Sequence, residues 1–214
     1  MTKANPDPFS DVLGFLTTST WTTGVFWLLI VASVVIAVYA WGRIPEQRAS
    51  RHFAAWVFRF VIGAMWWQQS IWKLPPFYTD QPNEPFGTTG LAYWMGLMGK
   101  HAAIPLQADF VNNIVLPHFY WFAPIVYAAE VLTGVSLMLG AFVRLWAVIG
   151  ALQILNLWLG LYSAPGEWPW TYFFLLVLML MFALHHYGRS LGIDALLLAR
   201  ARAPEKRAVL DLVA

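Results

Sequence analysis

Thr-Thr-Gly-Val-Phe-Trp-Leu-Leu-Ile-Val-Ala-Ser-Val-Val-Ile-Ala-Val-Tyr-Ala-Trp, residues 22–41, runs for twenty residues without a charged side chain. As a helix it is about 30 Å long, the thickness of a bilayer's hydrocarbon layer. It has no polar face, so it cannot lie on a soluble core with its other side in water. Four more stretches share this length. Residues 54–72 contain Arg59, Gln68 and Gln69, and residues 119–141 contain Glu130. Residues 142–162 contain Arg144, Gln153 and Asn156, and residues 170–187 end in His185 and His186. The whole chain of 214 residues is 59% hydrophobic and 11% charged, far from the roughly 25% charge of soluble domains. Its thirteen Trp suit the two membrane–water interfaces. The expected fold is all-α, an antiparallel integral membrane bundle of five spans that leaves much of its surface to lipid.

Basic residues follow an alternating pattern. Arg43, Arg48 and Arg51 lie between the first two spans, Arg144 at the turn between the third and fourth, and Arg189, Arg200, Arg202, Lys206 and Arg207 after the fifth. Lys3, Lys73 and Lys100 are the sparse cations of the other side. The positive-inside rule then places the N-terminus outside and the C-terminus in the cytoplasm of a bacterial inner membrane. Residues 1–11 lack the basic start and early apolar core of a cleaved signal peptide. A net charge of +2 gives no footprint for nucleic acid. The absence of Cys removes disulfides, thiolate-held iron–sulfur clusters and covalent haem.

Residues 74–118 form an unusually long connection, rich in proline. Leu91, Trp94, Met95 and Met98 recur in it at helical spacing, which predicts a short amphipathic helix on the outer surface. This helix is either a lid packed on the bundle or a cap facing substrate. Residues 199–214 read as a polar cytoplasmic tail, and residues 1–53 as an N-terminal segment carrying the first span.

Ionisable groups within a bilayer are costly, so Arg59 and Glu130 stand out. On antiparallel spans they are expected to face each other. The pair then either fixes the bundle or forms a polar site for a quinone carbonyl or a proton path. Lys73, one turn beyond Gln69, either snorkels to the interface or meets an anion from outside. Gln69 and Trp72 lie beside it on the same helix; in a quinone-handling protein they line a slot for quinone with Trp94 as its cover, and otherwise the Trp residues are interface anchors. Gln153 and Asn156 read as ordinary interhelical hydrogen-bonding residues. No span has a central His, and His101 and His118 have no recognisable metal spacing, so neither haem nor a metal site is expected.

Several motifs together resemble a known family. Arg59-Phe-Val-Ile-Gly63 followed by Lys73-Leu74, and Glu130-Val-Leu-Thr-Gly134 running to Leu139-Gly140 and Arg144, are similar to core helices of the DoxX/DoxD family. Pro165-Gly-Glu-Trp-Pro-Trp170 and Gly188-Arg-Ser-Leu-Gly-Ile-Asp194 resemble its last helix and exit. The resemblance covers about residues 54–198 and implies a four-helix core, preceded here by one extra span. That family includes the membrane subunit of thiosulfate:quinone oxidoreductase, which passes electrons from thiosulfate to quinone and forms tetrathionate. The resemblance thus implies quinone as cofactor and partner subunits in a membrane complex; for such an activity Arg59, Lys73 and Glu130, singled out above as charges within or at the end of spans, are the candidate catalytic residues. The competing class is a non-catalytic accessory or scaffold subunit of a larger respiratory or photosynthetic assembly. A transporter is disfavoured because no pair of broken helices occupies corresponding halves.

Overall fold

The computed structural model describes residues 7–201 and 203–214. Expectations that rest on residues 1–6, including Lys3, and on Arg202 lie outside these residues, as does the side chain of Lys206. The described residues form ten α-helices and no strand. They are α1 (Pro8–Thr17), α2 (Trp21–Arg43), α3 (Ser50–Ser70), α4 (Gly90–His101), α5 (Pro105–Phe110), α6 (Phe119–Leu139), α7 (Val143–Gly160), α8 (Pro169–Leu184), α9 (Ile193–Arg200) and α10 (Pro204–Val213). A π-helical turn, Val111–Val115, continues α5. Three helices, α2, α6 and α7, are long and apolar enough to cross a membrane. Helix α8 is equally apolar but shorter, and α3 carries Arg59, Gln68 and Gln69.

Helices α3, α6, α7 and α8 share one core. Ile62 and Trp66 of α3, Leu137 of α6, Ile154 of α7, and Met179 and Phe182 of α8 are buried against one another there. Small residues let the backbones approach, as they do where lipid supplies no driving force for helix association. A Cβ on Gly63 of α3 would stand 2.8 Å from Leu137 Cβ and from the Met138 nitrogen of α6. Helix α2 is pinned to this core by Ser33, whose Oγ donates to the Met138 carbonyl at 2.7 Å and accepts Trp56 Nε1 of α3 at 3.1 Å.

The two ends of the bundle differ. At the tail end, α6 turns into α7 through Gly140 and Phe142, both with positive φ (71° and 52°). Asp194 holds this turn, accepting the Phe142 and Val143 N–H groups at 2.7 and 3.2 Å. Residues 199–214 do not trail away. Helix α10 folds back, its Asp211 paired with Arg189 at 2.6 Å and its backbone bonded by Arg144. At the loop end, the amphipathic helix predicted from Leu91, Trp94, Met95 and Met98 is α4. It buries Leu91, Met95 and Met98 and covers the end of the bundle.

Candidate functional site

Helix α3 stops at Ser70, a turn carries the chain through Lys73, and Pro75–Pro76 directs it away. The Lys73 side chain therefore folds into the bundle. It is 7% exposed, and its Nζ donates to both Oε1 and Oε2 of Glu130 at 2.6 Å. Glu130, itself 4% exposed, also accepts Gln153 Nε2 of α7 at 2.9 Å. The ammonium lies 4.5 Å from the centre of the Trp72 ring, and that ring lies 6.4 Å from Trp94 of α4. One compact cluster thus joins a cation, a carboxylate, an amide and two indoles.

This cluster forms the polar wall of a cavity of about 520 Å³. The rest is mainly apolar, with Met95 and Met98 above and Phe122 and Val126 of α6 at the side. At the rim, Tyr172 of α8 donates to Glu167 Oε2 at 2.7 Å. Such a volume, largely apolar and with a few converging polar groups, is typical of small-molecule sites.

Five of the six candidate site residues meet here: Gln69, Trp72, Lys73, Trp94 and Glu130 all line the cavity. Arg59 does not, and the expected Arg59–Glu130 pair is absent. The guanidinium is fully buried at the tail end, where it donates to the Leu137 carbonyl and to the Ser190 carbonyl at 3.3 Å. From Leu137 to Glu130 is two turns of α6, about 10 Å, too far for one side chain to serve both. Lys73 takes the place assigned to Arg59. Nor does Lys73 snorkel, because its ammonium is buried against Glu130. Arg59 belongs instead with Asp194 and the Gly140 turn. Burial raises the Asp194 carboxyl above its ordinary range, against the pull of the Phe142 and Val143 N–H donors and of the nearby charges of Arg59 and Arg189.

Gln153 and Asn156 make the interhelical hydrogen bonds expected of them. Gln153 completes the Lys73–Glu130 cluster, and Asn156 bonds Gln107 of α5. Tyr172 and Glu167 escaped the sequence reading, although Glu167 lies inside a quoted motif. Nothing in spacing links residue 167 to residue 130. Among the described residues, no group of three or more His, Asp or Glu side chains is placed to hold a metal ion. No protein-family model, curated protein or solved structure matches the chain.

Proposed function

We propose that the chain is a five-span inner-membrane protein whose Lys73–Glu130 cavity binds a quinone, as the membrane subunit of a quinone-linked oxidoreductase. The observation that carries this reading is the buried Lys73–Glu130–Gln153 cluster on the wall of an otherwise apolar, aromatic-flanked cavity. A quinone is flat and neutral, with carbonyl oxygens that only accept hydrogen bonds. Lys73 Nζ is the donor for one carbonyl, the Trp72 and Trp94 rings flank the flat head, and the apolar wall suits its ring substituents. Reduction to quinol needs two electrons and two protons. The Lys73 ammonium is the group that passes a proton to the reduced oxygen, and the Glu130 carboxylate hydrogen-bonded to it is the base through which that proton is replaced.

The family resemblance supplies thiosulfate as the electron donor. Two thiosulfates join through a new S–S bond, the electron pair released reduces one quinone, and two protons complete the quinol. The electrostatics of the cavity favour a neutral occupant, since Lys73 is neutralised and Glu167 adds a carboxylate at the rim. A dianion therefore reacts elsewhere, on the loop-end surface or on a partner subunit, and delivers electrons to the quinone. Arg43, Arg48, Arg51, Arg144, Arg189, Arg200 and Arg207 gather toward the tail end, which the positive-inside rule makes cytoplasmic. The cavity then faces the outer half of the bilayer.

Purification with native partners and assay of decylubiquinone reduction by thiosulfate tests the reading. The parent assembly is expected to turn over and Glu130→Gln to lose about a hundredfold in rate, the usual scale for a lost acid–base group. An assembly that neither binds nor reduces quinone contradicts it.

A further inference from the structure

The geometry points to a lateral portal between α5 and α7, framed by Gln107, Phe110 and Asn156, through which a quinone with a hydrocarbon tail enters the cavity from the membrane. This rests on the quinone reading and specifies its ligand: the head sits at Lys73–Glu130 and the tail leaves between the two helices.

The aqueous roof is tied shut. The Leu91 N–H donates to the Tyr78 carbonyl at 2.9 Å, and the Thr79 and Thr89 hydroxyls bond at 3.0 Å, fastening the start of α4. At its far end, Asn112 Nδ2 donates to the Gly99 carbonyl at 2.9 Å. The Ala103 N–H donates to the Leu159 carbonyl at 2.8 Å, and Ser163 Oγ to the His101 carbonyl at 3.0 Å. Gly160 of α7 lies directly under Met98, where an added Cβ would stand 2.9 Å from Met98 Cγ. Five bonds thus fix the roof: two to Tyr78 and Thr79, one to the π-helical turn, one to α7 and one to Ser163 just beyond it.

The side wall is different. Helix α5 lies across the seam of α6 and α7, with Phe110 against Phe122 of α6 at 6.1 Å between ring centres. Phe110 and Asn156 both line the cavity and are both exposed, so the wall there is one side chain thick. Among the described residues, Gln107 alone makes a side-chain hydrogen bond across it, its Nε2 donating to the Asn156 carbonyl at 2.9 Å and to Asn156 Oδ1 at 2.8 Å. The Gln107 Oε1 is buried without a partner, so this amide is only half-satisfied in the closed position. Around the portal, Ile104, Leu106 and Ile114 on one side and Leu152 on the other are exposed apolar residues. That flank is built for acyl chains, so a ligand crossing it arrives dissolved in lipid.

Because the natural chain has no Cys, the portal and the roof can be closed separately and reversibly. Gln107→Cys with Asn156→Cys closes the portal, and Thr79→Cys with Thr89→Cys closes the roof, each through a short reducible bis-thiosulfonate linker. The association rate of decylubiquinone with the full chain in nanodiscs is read from quenching of native Trp fluorescence, before and after linking and after reduction. The portal linker is expected to slow association at least tenfold, with recovery on reduction, and the roof linker to leave it unchanged. Slowing by the roof linker, or no slowing by either, overturns the portal. Failure of the unlinked chain to bind decylubiquinone overturns the quinone reading and the portal with it.

Discussion

Lys73 and Glu130 illustrate why a buried ion pair is a poor stabiliser yet dangerous to break. Each charge has lost its water, and only the 2.6 Å contacts, Gln153 and the Trp72 ring compensate. Lys73→Met leaves a carboxylate among apolar groups, so it should lower unfolding stability by about 3–5 kcal/mol, and Glu130→Gln should cost a similar amount. The double substitution should cost well under the sum, which thermal unfolding of the four proteins in one detergent would show; strict additivity would mean that the pair is not coupled. Arg59 makes the opposite functional prediction. It donates to the Leu137 and Ser190 carbonyls and leaves the cavity untouched. Arg59→Met should therefore destabilise the chain by several kcal/mol, about the cost of an orphaned buried network. Its quinone affinity should stay within about twofold, far from the tenfold that 1.4 kcal/mol would bring. The sequence marks both residues by the same sign, a charge within an apolar run. It cannot tell a charge that ties backbone carbonyls from one that lines a cavity, because the difference lies in partners tens of residues away.

Among the helices, the decisive quantity is the slide of α3 along α6. If their ends were level, Arg59 would sit within reach of Glu130, which is the arrangement expected from the spans. Instead Trp67 abuts Gly134, and Gly63 meets Leu137 and Met138. Helix α3 is therefore displaced toward the tail end by about 18 Å, more than three turns of helix. Hydrophobic periodicity tells which residues share a face, but it carries no information on axial register between helices. Residues close together on one segment were consequently legible as a group, as Gln69, Trp72 and Lys73 show. Glu167 and Tyr172 were not, and neither was the return of α10. Its attachment depends on Asp211 meeting Arg189 and on Arg144 reaching the helix backbone, contacts that spacing does not reveal. The slide is fixed by Gly63. An Ala there drives its Cβ into α6 backbone and the Leu137 Cβ, so Gly63→Ala should cost about 1–3 kcal/mol of stability. Gly24 of α2 has open space around it, and Gly24→Ala should gain about 0.5–1 kcal/mol. Equal effects at the two glycines, measured by unfolding, would remove close packing as the cause of the register.

For the molecule as a whole, the helical bundle and its long apolar segments are legible in composition alone, because so few charges leave no surface for water. The proposed arrangement puts the basic residues of the tail end in the cytoplasm and the α4 roof outside. Arg48→Cys should then resist an impermeant thiol reagent applied to intact cells, while Lys100→Cys reacts; the reverse pattern would invert the bundle. In the proposed function this orientation decides from which side protons reach Glu130. Helix α4 above, the α5 flank beside and the Lys73–Glu130 cluster below all serve one cavity, and the central claim is that this cavity holds a quinone. Photolabelling the purified protein with an azido-quinone, then mapping the modified peptides, tests that claim most directly. Labels within residues 69–73, 94–98, 122–130 or 153–161, competed away by decylubiquinone, are the predicted result. Labels confined to the lipid-facing sides of α2 and α8, or labelling that decylubiquinone does not suppress, would contradict it.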